Sequence, residues 1–110
     1  MNFQVIRERY LQDDFPRRLG ALAANLARVV SFSKRGENLD VVKSLLRESE
    51  YFIEWTILEA SLDLQERLVK LQVELALWLG RLDRGENGFD QLARDFQDWS
   101  EEILSASRLA

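Results

Sequence analysis

Cysteine and histidine are both missing from this chain of 110 residues, and proline occurs once, at Pro16. Without cysteine there is no disulfide, no thiolate nucleophile and no zinc knuckle. Without histidine there is no imidazole base near neutral pH and no histidine-bearing metal site. Carboxylate, Lys, Tyr and Ser chemistry is what remains. No apolar run reaches the roughly 18 residues that a membrane span requires. Met1-Asn2-Phe3-Gln4 lacks the basic-then-apolar layout of a signal peptide, so the expectation is a soluble, cytoplasmic protein.

What is present is ordinary for a folded domain: 46% hydrophobic and 31% charged residues, in a chain long enough for one core without metals or crosslinks. The formal charge of −4 is uneven: residues 1–38 carry seven Lys/Arg against four Asp/Glu, whereas residues 39–110 carry eight against fifteen. An acidic chain is poorly suited to grasp a phosphate backbone, so nucleic acid is a disfavoured partner.

Glycine is scarce and its placement is informative. Arg-Gly-Glu-Asn occurs twice, at Arg35–Asn38 and Arg84–Asn87, each time between helix-periodic stretches. Glycine closes a helix in the left-handed conformation and asparagine caps the next, so both copies read as corners of an all-α fold. Around them, Leu19–Asn38 and Leu68–Asn87 match at eight of twenty positions, a weak repeat of an αα-hairpin. Residues 1–12 read as an N-terminal arm or short helix, and 13–110 as a single helical domain. Asp14 and Pro16 mark a helix start, followed by Phe15, Leu19, Leu22, Leu26, Val29 and Ser33 at steps of three and four. The final helix carries Phe89, Leu92, Phe96, Trp99, Ile103 and Ala106 in the same way.

Between the corners the steps run Leu39, Val42, Leu46, Ser49, Ile53, Ile57, Ala60, Leu64, Leu68, Leu71, Leu75, Trp78 and Leu82. No Gly, Pro or Asn lies between Leu39 and Leu79. The unbroken phase predicts one long central helix, kinked at most near Ser61, with an antiparallel helix folded back at each corner. At about 45 residues it would span about 67 Å. The alternative is a break at Ser61 or Asp63, either of which can cap a new helix, giving a compact four-helix up-down bundle. A second apolar stripe, Tyr51, Trp55, Leu58, Leu62, Val69, Val73 and Ala76, lies opposite the first and continues to Gly80. A helix with apolar stripes on opposite faces packs between two partners, and a second copy of the chain would supply one of them.

Candidate chemistry is thin. Glu48, Glu50, Glu54, Glu59, Asp63 and Glu66 form an acidic stretch whose Glu50–Glu54 and Glu59–Asp63 pairs share helix faces and suit a hard cation. All-α nucleoside triphosphate pyrophosphatases of the MazG kind use helical acidic clusters, but with an adjacent Glu pair and Glu-x-x-Asp. Here the spacing is Glu-x-x-x-Glu and Glu-x-x-x-Asp, which reads as a solvated face. Trp55, Trp78 and Trp99 fall on apolar stripes and read as core or interface residues. The segments Glu48-Ser49-Glu50-Tyr51-Phe52-Ile53-Glu54-Trp55-Thr56 and Leu71-Gln72-Val73-Glu74-Leu75-Ala76-Leu77-Trp78 resemble small uncharacterised all-helical proteins of cyanobacteria. That resemblance implies a bacterial helical protein and no particular activity.

The sequence therefore predicts a non-enzymatic protein–protein interaction module, a homodimeric adaptor or assembly factor without cofactor or metal. Its interface is expected at Tyr51, Trp55, Leu58, Leu62, Val69, Val73 and Ala76. A Mg²⁺-dependent nucleotide pyrophosphohydrolase would require the acidic residues to converge on a cleft. A nucleic-acid-associated regulator would require Arg7, Arg9, Arg17, Arg18, Lys34 and Arg35 to share one face.

Overall fold

The computed structural model describes residues 2–110; Met1, counted above in the N-terminal arm, lies outside the described residues. Five α-helices are present, α1 (Phe3–Gln12), α2 (Phe15–Arg35), α3 (Leu39–Thr56), α4 (Leu62–Asp83) and α5 (Phe89–Leu109), with a 3₁₀ turn at Ile57–Glu59. Helices α2 to α5 form an up-down-up-down bundle. Antiparallel neighbours are shown by the cross-pairs Asn25–Glu48 (α2–α3), Lys43–Asp83 (α3–α4) and Arg67–Glu102 (α4–α5). α5 closes the ring against α2, the most extensive backbone approach in the bundle. Small residues of α2, Gly20, Ala23, Ala24 and Ala27, face Ser100 and Leu104 of α5 there.

The long central helix is overturned in favour of the compact bundle, whose greatest extent is 35 Å. Ala60 (ψ 156°) and Ser61 (ψ 160°) are extended, and Ser61 Oγ accepts from Leu64 N at 3.2 Å to start α4. Gln65 Nε2 donates to the Ala60 carbonyl at 3.0 Å, which satisfies one of the groups released by the break. The apolar phase runs through the break because Ala60 and Leu64, on either side of it, enter the same core. Inner-face periodicity therefore carries no signal of the reversal.

The first stripe is the core. Val42, Leu46, Ile53, Leu68, Leu71 and Leu75 are buried with Leu19, Leu22, Leu26 and Val29 of α2 and with Leu92, Phe96 and Ile103 of α5. Asp14 Oδ1 accepts from Arg17 N at 3.1 Å, so α2 starts at the Asp-Pro signal. Both corners carry glycine in the left-handed region, Gly36 at φ 65° and Gly85 at φ 77°. The asparagines do not cap as expected. Asn38 itself turns left-handed (φ 60°) without a side-chain cap bond, and α5 starts after Gly88.

Helix α1, capped by Asn2, lies against α3. Tyr10 is its buried anchor, stacked on Phe52 at 4.0 Å. The Tyr10 hydroxyl donates to the Arg18 carbonyl (3.0 Å) and, having one proton, accepts from Thr56 Oγ1 (2.8 Å). The Arg18 guanidinium, buried beside it, donates to the Asp13 carbonyl (3.1 Å) and to Glu59. One cluster thus joins α1, α2 and the α3–α4 corner.

Two outcomes follow from this packing. Replacing Gly36 or Gly85 with Ala should cost about 1 kcal/mol each in urea denaturation. An added Cβ meets nothing within 4 Å at either position, so the cost is backbone strain alone, and unchanged midpoints would show that the left-handed corners are wrong. Burial pushes the Tyr10 phenol up to about 12, with the Thr56 hydrogen bond and the Arg18 charge opposing. A pKa raised above the unfolded value of about 10 gives stability that is complete below that pH and lost as pH rises through about 12. The loss should be on the order of 2 kcal/mol, and Tyr10→Phe should flatten the alkaline limb of the stability–pH curve.

Candidate interaction surface

The reversal at Ala60–Ser61 splits the second apolar stripe between two helices. Its first half, Tyr51 and Trp55, is covered from within the chain: Phe3 lies 4.5 Å from Tyr51, and Tyr10 lies 5.8 Å from Trp55, centroid to centroid. The arm occupies the place expected for a second copy, and these two residues drop out of the open surface. Its second half is uncovered. Leu58 at the corner is 88% exposed, and along α4 Leu62 is 83%, Val69 51% and Val73 54% exposed. Ala76 is exposed as well.

Leu77, at 62% exposed, joins the face and was not among the residues expected there. The signal for the seam is in the sequence, in the alternating steps Leu62, Glu66, Val69, Val73, Ala76 and Gly80. This is the heptad spacing that keeps one stripe of a helix facing a partner helix. Glu66 and Lys70 on this face are exposed. The opposite side of α4 buries Leu64, Leu68, Leu71, Leu75 and Trp78. A groove of about 380 Å³ borders the C-terminal half of the seam, lined by Ala76, Leu77, Trp78, Gly80, Arg81 and Arg84, with Glu74 and Asp95. The Arg81 guanidinium stacks over Trp78 at 4.0 Å and forms its rim.

The tryptophans serve the bundle. Trp78 Nε1 donates to Asp95 at 3.3 Å, and Trp99 Nε1 donates to Glu74, so both indoles find carboxylates on the neighbouring helix.

The acidic residues disperse. Glu48 accepts from Asn25, Glu59 holds Arg18, and Asp63 lies 3.7 Å from Arg67. The hydrogen bond from Arg18 holds the Glu59 carboxyl below its ordinary range, and that from Lys43 does the same for Asp83. Glu50 and Glu54 share a groove of about 520 Å³ with Arg47, Asp83, Tyr51 and Gln72. Burial raises the Glu50 carboxyl, with the Arg47 charge opposing. Among the described residues no three Asp or Glu side chains gather as a metal-binding group.

The basic residues disperse too. Arg18 is buried on Glu59, and Arg35 stacks on Phe32 at 4.5 Å. Arg17 and Lys34 stand near opposite ends of α2, about 25 Å apart along its axis. Arg17, Arg18, Lys34 and Arg35 therefore do not share one face. No helix among the described residues is long and apolar enough to cross a membrane.

Comparison with protein-family models, with curated proteins and with solved structures found no match.

Proposed function

We propose that this chain is a non-enzymatic protein–protein interaction module that self-associates through the outer face of α4. One observation carries the reading: Leu62, Val69, Val73 and Leu77, with Ala76, stand open to water along one side of a helix whose other side is fully used by the core. Scattered exposed leucines need no explanation, whereas neighbouring apolar side chains such as Val69, Val73, Ala76 and Leu77 on one face of a folded monomer mark a binding surface. A twofold assembly requires one such strip to be complementary to itself, and nothing more. An adaptor or assembly role, in the cytoplasm of a bacterium, fits a chain whose polar clusters are consumed in holding helices together.

A nucleotide pyrophosphohydrolase is the second reading and is less well supported. Its acids would have to converge, whereas Glu48, Glu59 and Asp63 are engaged singly with Asn25, Arg18 and Arg67, and only Glu50 and Glu54 share a groove.

Sedimentation velocity at tens of micromolar should show a dimer for the wild type and a monomer for Val69→Glu/Val73→Glu. Both substitutions lie on solvent-facing positions, so the helical circular dichroism should not change. A monomeric wild type at that concentration would overturn the reading. Calorimetric titration with Mg²⁺ or Mn²⁺ should give no saturable heat, and a nucleotide hydrolysis screen no turnover. Tight binding abolished by Glu50→Gln or Glu59→Gln would favour the hydrolase instead.

A further inference from the structure

We infer that Asn87 is a site of spontaneous covalent modification, at which the Gly88 backbone nitrogen closes on the Asn87 side-chain amide. The resulting succinimide is opened by water to an aspartyl or an isoaspartyl residue. The site lies at the α4–α5 corner and needs no partner chain.

Packing is what holds glycine at position 88. A Cβ there would lie 3.0 Å from two carbons of the Trp78 ring and 3.3 Å from Arg81 Nη2. Trp78 has little room to give way: it is 3% exposed, its Nε1 donates to Asp95, and the Arg81 guanidinium lies over its ring. A larger residue directly after Asn87 would therefore strain the corner. The same missing Cβ leaves the Gly88 nitrogen unshielded, and glycine's backbone freedom lets that nitrogen swing toward the preceding side chain. The core thus imposes the neighbour that makes Asn87 reactive.

The corner leaves both reacting groups available. Asn87 is exposed and lies outside the helices. The backbone bonds nearest to it run from Glu86 N to Arg81 O and from Leu92 N to Gly88 O, and neither uses the Gly88 N–H. Helix α5 starts without a side-chain cap bond, so the Asn87 amide is not tied down there. The other three asparagines lack this combination. Asn2 Oδ1 accepts from Gln4 N and Val5 N. Asn25 is buried within α2, with Nδ2 on Glu48. Asn38 is exposed, but Leu39 follows it and its branched side chain crowds the nucleophilic nitrogen.

The step balances without an oxidant or a cofactor. A bond forms between Gly88 N and Asn87 Cγ while the Cγ–Nδ2 bond breaks. The proton given up by the backbone N–H goes to Nδ2, which leaves as ammonia. Water then opens the ring at Cγ to give aspartate, or at the α-carbonyl to give isoaspartate, with the main chain running through Cγ. Either product makes the chain more negative than its formal −4. Aspartate beside the start of α5 suits the positive end of that helix. Isoaspartate instead lengthens the main chain between Glu86, which holds Arg81 and Arg84, and Gly88, which lies on Trp78.

The two Arg-Gly-Glu-Asn copies supply an internal control. Trypsin releases Gly85–Arg94 and Gly36–Lys43, each with a single asparagine. Folded wild-type chain is kept warm at mildly alkaline pH, and digests are followed by mass spectrometry against a digest made at the start. Gly85–Arg94 should convert progressively from amide to acid and resolve into two isomers, one of them a substrate for an isoaspartyl methyltransferase. Gly36–Lys43 should keep its amide, and the conversion should accelerate with hydroxide. Asn87→Gln, a change at an exposed position, should abolish the conversion and leave the helical circular dichroism intact. The aged wild type should melt below the fresh protein, whereas Asn87→Asp should melt with it. Equal conversion of the two peptides would overturn the role of Gly88. A folded chain that keeps the Asn87 amide while the urea-unfolded chain loses it would show that the corner protects this residue, and would overturn the inference.

Discussion

Ala60 and Ser61 leave the helical conformation together, and the position of every later residue depends on that reversal. Two extended residues free several backbone groups from the α-helical ladder, and each must be met elsewhere. Ser61 Oγ takes Leu64 N, the Gln65 side chain reaches back to the Ala60 carbonyl, and Ala60 N closes onto Ile57 O. Arg18 then holds Glu59 across the corner from α2. A buried guanidinium without a carboxylate is costly, so the corner and the start of α2 stabilise one another. Tyr10 extends this cluster to α1 by bonding Thr56 and the Arg18 carbonyl, which makes the arm part of the same lock.

The reversal also decides what is open to a partner. An uninterrupted helix would have shown two apolar faces along its length, and the arm could have covered only part of one. Folding at Ser61 turns α3 so that Tyr51, Phe52 and Trp55 meet α1, an internal cover. It turns α4 so that Leu62, Val69, Val73 and Leu77 keep half or more of their surface open to solvent. The same apolar stripe thus yields one satisfied half and one unsatisfied half, and the difference lies in the ten residues of α1.

The inner faces were legible in the sequence because a core-facing helix side has a period that composition cannot hide. Thirteen apolar or small positions from Leu39 to Leu82 were assigned to one stripe, and of these Leu39 is exposed and Ile57 half-buried. Glycine at the corners was legible too, since left-handed closure selects it. The break was ambiguous for a physical reason: a reversal that keeps both helices on one core preserves the phase and needs no glycine when a serine caps the new start. The arm's role was not legible, because Tyr10 gains its meaning from Thr56, 46 positions away. The open surface was half legible: the α4 part of the stripe was named, Leu77 was missed, and Tyr51 and Trp55 were placed on a face that the arm occupies.

The bundle does not depend on the surface that its outer helix offers. Its accessible area of 6400 Å² is close to the roughly 6300 Å² at which a monomer of this mass is complete. An obligate dimer would instead leave its own core open when taken as a single chain. Here the buried side of α4 and the open side share one helix but no side chains, so changes to Val69 or Val73 act on association and changes to Leu68 or Leu75 act on folding. Charged residues interrupt the open strip at Glu66 and flank it at Asp63 and Lys70, which limits indiscriminate sticking while leaving a patterned edge for one partner. A face that is apolar, outside the core and broken by charge at Glu66 and Lys70 has the properties needed to choose a partner.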